Sequence, residues 1–196
     1  MIHIGETGDG KRPDVTQYFL QTERIGFRCW SEGDLGLAMD LWGDGEVTRL
    51  IGGPFSPDQV RERLSREIAS REAYGVQYWP IFLLSDNEYL GCCGLRSYAL
   101  DRKIYEIGVH IRSAHWGHGY ALEATRGVIT YAFGTVGAAG LFAGHNPANE
   151  TSRHLLEKLG FRYTHDEFYP PTGLDHPSYL LTPDEWGRGQ KESPLQ

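Results

Sequence analysis

Residues 109–121 read Val-His-Ile-Arg-Ser-Ala-His-Trp-Gly-His-Gly-Tyr-Ala, a strand-like run ending in two closely spaced glycines, Gly117 and Gly119. The helical pattern that follows starts at Gly119. The first amides of a helix have no intrahelical acceptor and form the positive end of its dipole, so such a terminus binds phosphate. Neither glycine carries a side chain to hold a ligand off the backbone. Trp116, Gly117, His118, Gly119, Tyr120 and Ala121 are therefore candidates to cradle a diphosphate through main-chain donors. A plain strand-to-helix turn fits the same spacing, because a short glycine motif is weak by itself. It is not a dinucleotide fingerprint, since Leu122 stands where the third glycine would fall, and no Gly-Lys-Ser/Thr follows to make a P-loop. His110, His115 and His118 surround the loop but lack the paired helical spacing of a zinc site, so no metal is expected. His110 reads as a strand side chain, His118 as exposed at the loop, and His145 and His154 as structural.

The elements that must position this loop follow from apolar periodicity. Ile25, Phe27 and Cys29 alternate and predict a first strand over 25–30, after which 31–34 turns into a short helix carrying Leu35, Leu37, Ala38 and Leu41. Ser56, Pro57 and Gln59 combine a cap, a proline suited to the first helical position and a capping-box partner. Val60, Leu64 and Ile68 extend one apolar face of that helix until Gly75 closes it. Strands over 78–84 and 89–95 flank the polar turn 85–88 as a hairpin, and 105–111 makes a further strand. A helix over 119–133 places Ala121, Ala124, Val128 and Ala132 on one face. A short strand at 141–143, a helix over 149–159 stopped by Gly160, and late strands at 161–164 and 178–181 complete the order. Thr182, Pro183 and Glu185 form a second capping box that opens a final short turn. The result is one mixed α/β domain with an antiparallel middle, a loose arm over 1–19 and a tail over 187–196.

Bulk properties remove several classes of function. The net charge of -7 repels phosphate backbones, so no nucleic-acid partner is expected. Hydrophobic residues at 40% and charged residues at 23% exclude a disordered chain. Three cysteines without spaced pairs make neither a disulfide framework nor a zinc site, and the adjacent Cys92 and Cys93 read as buried strand residues rather than a redox pair. No apolar run approaches the roughly 20 residues of a membrane span, and Glu6, Asp9 and Asp14 interrupt any signal-peptide pattern. A cytoplasmic protein without a membrane partner, monomer or homodimer, is expected.

Three ordered segments are more specific than the glycine pair alone. Glu106-Ile107-Gly108, the run from Trp116 to Ala124, and Asn149-Glu150-Thr151-Ser152 leading to Leu156-Glu157-Lys158-Leu159-Gly160-Phe161 resemble the central motifs of the GNAT superfamily of N-acetyltransferases. They are most similar to the subgroup of ribosomal-protein N-terminal acetyltransferases RimJ and RimL, as are Thr22-Glu23-Arg24-Ile25, Arg28 and Asp34 early, and Tyr179-Leu180-Leu181 with Glu185-Trp186 late. The resemblance covers 20–186 and implies a splayed, mostly antiparallel sheet of about six to seven strands with flanking helices, binding acetyl-CoA. It implies that Val109, His110 and Ile111 run beside the pantetheine arm, with main-chain bonds from Val109 and Ile111. The diphosphate would rest on 116–121, and Asn149 and Ser152 would lie at the thioester end. Ala114 replaces the family's usual Gln or Arg, which removes one side-chain contact and leaves the main-chain cradle.

The reaction so implied is direct attack of an amine on the thioester. An alkylammonium must lose a proton first, and the developing oxyanion needs a donor such as the Ile111 amide. Glu106 is the candidate base, with His165, Asp166 and Glu167 as rivals and a salt-bridge role as its bland alternative. Leu156 stands where many similar enzymes carry an acidic tyrosine, so the resemblance moves the thiolate donor to Ser152, whose alternative is a helix-start residue bonded locally. Tyr74, Tyr78, Trp79, Trp42, Phe168 and Tyr169, together with Pro170 and Pro171 in the late loop, are candidates for the acceptor cleft, and one or two of the aromatics are expected there. The acceptor is expected to be a peptide or protein N-terminal amine. A small amine, such as an antibiotic or polyamine, and a non-catalytic acyl-CoA-binding module are the alternatives.

Overall fold

In the computed structural model, which describes residues 18–192, the central hairpin is β3 (Tyr78–Leu83) and β4 (Tyr89–Ala99). Both strands are buried on both faces for most of their length, so helices must cover the sheet on each side. β1 (Leu20–Gln21) and β2 (Ile25–Phe27) extend the sheet from β3, and β5 (Ile104–Ile111) follows β4 on the other side. β6 (Gly140–Gly144), β7 (Arg162–Tyr169) and β8 (Leu174–Leu181) complete an eight-stranded sheet in the order β1-β2-β3-β4-β5-β6-β8-β7. Among the described residues only β5 and β6 pair in parallel.

One face carries α4 (Tyr120–Tyr131) and α5 (Glu150–Lys158), whose Ala124, Val128, Ile129 and Leu156 pack on Ile81, Leu95, Ile107 and Leu141. The other face carries α1 (Leu35–Trp42) and α3 (Pro57–Tyr74), which bury Trp42, Val60 and Leu64 against Tyr78, Phe82 and Cys92. α3 starts as its residues dictate: the Ser56 side chain accepts from the Gln59 amide, the Gln59 side chain accepts from the Ser56 amide, and Gly75 ends the helix at φ +75°. Cys92 and Cys93 occupy opposite faces of β4, where burial pushes both thiols up, Cys93 to about 12. Neither is a redox thiol in that state.

The structure departs from the sequence pattern in several places. The sheet has eight strands because β1 is a two-residue strand too short for any periodicity. The strand expected over 25–30 is β2 and ends at Phe27, and a four-residue α2 (Gly45–Thr48) was not foreseen. The late hairpin is twice the expected length, because β7 is an edge strand exposed on both faces and carries no apolar alternation. The final turn is a ten-residue helix, α6 (Pro183–Glu192), seeded by mutual bonds between Thr182 and Glu185. Of the arm over 1–19, only Tyr18 and Phe19 are described, and 193–196 also lie outside. Tyr18 lies over Gly26, and Phe19 sets its ring 5.1 Å from Trp79.

Candidate active site

β5 and β6 pair through Ile104–Gly140, Tyr105–Leu141 and Glu106–Phe142 and then part, while β5 stays paired with β4 as far as Ile111. The Arg112 amide donates to the Leu90 carbonyl at 2.9 Å. Because amides alternate sides along a strand, those of Val109 and Ile111 face away from β4 into the gap, and that of His110 faces β4. The Ile111 carbonyl accepts a hydrogen bond from the half-exposed Trp116 indole at 2.8 Å. A cavity of about 850 Å³ opens at the split, lined there by Val109, Ile111, Trp116, Gly117, Tyr120 and Ser152.

The N-terminus of α4 borders this cavity. Glu123 donates the first intrahelical bond, to Gly119 at 3.1 Å, so the amides of Tyr120, Ala121 and Leu122 have no acceptor within the helix. Gly119 is the cap rather than the first helical residue, and it offers no side chain to those amides. Gly117 and Gly119 sit at φ +82° and +78°, the left-handed region. A Cβ on Gly117 would meet nothing within 4 Å, and one on Gly119 only Arg24 Nη2 at 3.8 Å. These glycines therefore serve backbone handedness, not space, and left-handed turns aim successive amides into one concavity. His118 is exposed and lines no part of the cavity; its carbonyl accepts from Arg24 Nη1 at 3.3 Å.

Arg24 is a positioning residue to which sequence reasoning gave no role. Its guanidinium lies 4.7 Å from the Tyr120 ring centre and pairs with Glu123 at 2.6 Å. Glu123 also accepts from the Thr22 hydroxyl and the Arg24 amide. Burial alone would raise the Glu123 pKa, but these bonds outweigh it and hold the carboxyl below its ordinary range.

On the opposite face of β5, Glu106 and His110 point toward α1 and α3. The Tyr78 hydroxyl donates to Glu106 Oε1 at 2.9 Å, and its ring crosses Gly108 so closely that a Cβ there would collide with it. Burial, then the charge of Glu106, pushes the Tyr78 phenol well above its ordinary pKa, so it stays a donor. Arg96 lies 4.1 Å from the Tyr78 ring centre and is ion-paired with the buried Glu67, which also accepts from the Tyr78 amide at 2.8 Å. His110 lines the cavity, and its ring Nδ1 accepts from Trp42 Nε1 at 3.2 Å, on the side away from Val109 and Ile111. Burial, then the charges of Arg63 and Arg96, pushes His110 well below its ordinary pKa and keeps it neutral. Of the rival bases, Glu167 lines the cavity and accepts from Tyr98 at 3.0 Å, while His165 and Asp166 stand on exposed β7 outside it. Tyr78, Phe168 and Tyr169 line the cavity, Trp42 and Trp79 are buried core, and Tyr74 is exposed.

At the start of α5, Asn149 Oδ1 accepts from the Ser152 amide at 3.0 Å, so Asn149 caps the helix while still lining the cavity. Ser152 and Leu155 also line it, and Leu156 is buried. Among the described residues no group of three or more His, Cys, Asp and Glu side chains could hold a metal ion.

Comparisons with known proteins add to this geometry. A family model described as "Acetyltransferase (GNAT) domain" matches residues 24–162. The chain is 31% identical over 147 residues to an uncharacterised Bacillus subtilis protein, YkkB, covering 74% of this chain and 86% of that one. It is 30% identical over 175 residues to an Aspergillus fumigatus FsC-acetyl coenzyme A-N(2)-transacetylase, covering 79% and 72%. A crystal structure of a GNAT-family acetyltransferase from Bacillus anthracis superposes with a TM-score of 0.72 at 22% identity, covering 83% and 97%, which shows a shared fold.

Proposed function

The chain belongs to the GNAT acetyltransferase family, and from that membership we propose that it transfers acetyl from acetyl-CoA to the primary amine of a small acceptor by direct attack, with Glu106 as base. The observation that carries this reading is the parting of β5 and β6 just after Glu106, beside the uncapped N-terminus of α4.

The residues fit acetyl-CoA on grounds of shape and donors. A Cβ at Gly117 would meet open space and one at Gly119 only Arg24 Nη2, so the turn stands open before α4 amides that have no intrahelical acceptor and suit a negative charge. The Val109 and Ile111 amides suit an extended amide-bearing arm laid along the β5 edge, as an added strand is held. Bound acetyl-CoA supplies an activated acetyl thioester. Tyr78 orients Glu106, whose carboxylate holds the acceptor ammonium and takes its proton directly or through water. The Ile111 amide is the donor for charge that builds on oxygen in the transition state. The Ser152 hydroxyl is the candidate proton donor to sulfur, consistent with a RimJ/RimL-like α5 in which Leu156 replaces tyrosine.

A small acceptor is favoured over the expected polypeptide end by the loops above the Glu106 side. The Gly52 backbone abuts Pro171: a Cβ on Gly52 would lie 2.8 Å from the Pro171 carbonyl oxygen. Leu50, Ile51, Phe168 and Tyr169, flanking that contact, line the cavity, so the two loops meet over its acceptor end. The Aspergillus relative is named for transfer to an N(2) position of its own acceptor, which agrees with an amine-directed enzyme.

The test is the pH–rate profile of Glu106→Gln, read as thiol release from acetyl-CoA across an amine panel. The variant should lose at least tenfold at neutral pH and recover toward wild type at high pH, where the free amine is abundant. An equal loss at every pH would remove Glu106 as base, and coenzyme binding without any turnover would favour the non-catalytic module.

A further inference from the structure

Arg63, on α3, has no role in the reaction just described, yet its guanidinium is placed as though awaiting something. It lies 5.0 Å from the Trp42 ring centre and 5.4 Å from that of Phe55, and it lines the same cavity as Glu106. Its Nε is buried without a hydrogen-bond partner, and no ion pair to Arg63 occurs among the described residues. A buried donor left unsatisfied costs about 1–3 kcal/mol, so a retained one calls for an explanation.

The neighbouring groups do not supply one. Glu67, one turn further along α3, is taken by Arg96 and the Tyr78 amide, and Glu106 accepts from Tyr78. From β4, Arg96 adds a like charge and Cys92 is a neutral thiol. From β5, His110 is neutral, and from α1, Trp42 already donates to His110. Burial, then the charge of Arg96, lowers the Arg63 pKa, and the charge of Glu67 only partly offsets them. An arginine fork fits a carboxylate in a planar, bidentate manner. Arg63 stands on the Glu106 side of β5, away from the α4 amides that suit the diphosphate.

Resting on the proposed function, we propose that the acceptor is an amino carboxylate of the amino-acid class, its amine at Glu106 and its carboxylate on Arg63. The two anchors fix both ends of the acceptor, and Leu50 and Ile51 from one side with Phe168 and Tyr169 at the end of β7 from the other leave an apolar surface for its side chain. Discrimination then comes from Arg63 itself: an acceptor lacking the carboxylate gives the guanidinium no anion and leaves its buried Nε unpaired.

The experiment compares free amino acids with their carboxamides as acceptors, for wild type, Arg63→Met and Arg63→Lys. For the best amino acid, wild type should prefer the free acid by at least tenfold in kcat/KM. Arg63→Met should raise its KM at least tenfold, bring the acid-to-amide preference close to one and leave the acetyl-CoA KM unchanged, with Arg63→Lys between. In the absence of coenzyme, the matching N-acetylamino acid should raise the Tm of wild type but not of Arg63→Met. Equal use of acid and amide by wild type overturns the proposal while leaving an amine acetyltransferase standing. Failure to bind acetyl-CoA or to turn over any amine would instead sink the reading on which it rests. If Arg63→Met does not fold, the wild-type acid-to-amide ratio and the Tm shift decide alone.

Discussion

Glu67 decides how firmly the Glu106 side of the candidate site is held, because its buried carboxylate ties two strands to α3 and its backbone carbonyl holds a third group. Its Oε1 pairs with Arg96 on β4, its Oε2 accepts from the Tyr78 amide on β3, and its backbone carbonyl accepts from the Gln77 side chain. A glutamine there must turn its NH2 toward either Arg96 or the Tyr78 amide, a donor against a donor. Glu67→Gln should therefore cost about 2–4 kcal/mol, below the full cost of breaking a dry ion pair because Arg96 is partly exposed. Urea unfolding measures it; a loss under about 0.5 kcal/mol would rank the pair with idle surface bridges. Neither Glu67 nor Arg63 was singled out from the sequence, since a charged pair four apart on a helix ordinarily faces water. The signal was present in helical arithmetic: 63 and 67 fall three residues after the apolar 60 and 64, on the edge of the buried stripe. Glu106 and the loop glycines were candidates from the sequence because their motif is local, whereas the hydrogen-bond partner of Glu106, Tyr78, is 28 residues away.

At the scale of elements, the start of α4 is the part whose chemistry is most nearly fixed by backbone shape. Gly119 caps the helix in a left-handed conformation that costs a non-glycine residue about 1–3 kcal/mol, most for a β-branched one. The strain would be relieved by rotating the turn, which scatters the amides of Tyr120 and Ala121. Gly119→Val should thus lose coenzyme A binding by at least tenfold in calorimetry while circular dichroism stays native. Retained affinity in a folded variant would separate the α4 terminus from the ligand. Sequence patterns reached this element because a capped, apolar-faced helix is a local property, and α3 and the β3–β4 hairpin were legible for the same reason. The parting of β5 from β6 was not legible from periodicity, and only the family resemblance implied a splay. It depends on how a parallel crossover returns β6 to the sheet, and nothing in the residues 140–144 alone reports where pairing stops.

For the whole molecule, the balance of protonation between folded and unfolded chains fixes how stability falls with acid, and two sets of groups act in different windows. His110 and His176 are both held below the ordinary histidine value of 6.5, His110 by burial and then Arg63 and Arg96, His176 by burial and then His145. Below 6.5 the unfolded chain takes up protons that the folded chain refuses, so stability begins to fall there. Asp34, Glu123 and Glu185 act lower. Burial would raise each, but Arg28 and Ser31, Thr22 and Arg24, and Thr182 and Arg162 respectively outweigh it, leaving all three below their ordinary 3.8 and 4.5. Their contribution is complete above those values and is lost as pH falls through the depressed folded ones. These carboxylates tie the β2–α1 corner, the β1–β2 turn to α4, and the start of α6, so acid loosens the periphery together. The urea midpoint should be level between about pH 7 and 8, decline between 6.5 and 5, and fall again below about 4.5; above about 8.5 it should fall too, because the unfolded chain ionises Cys92 and Cys93 while the folded chain keeps them protonated. His110→Gln should flatten the upper decline and Glu123→Gln the lower fall. A wild-type midpoint unchanged from pH 7 to 5 would mean that the two histidines are as free to protonate in the folded chain as in the unfolded one.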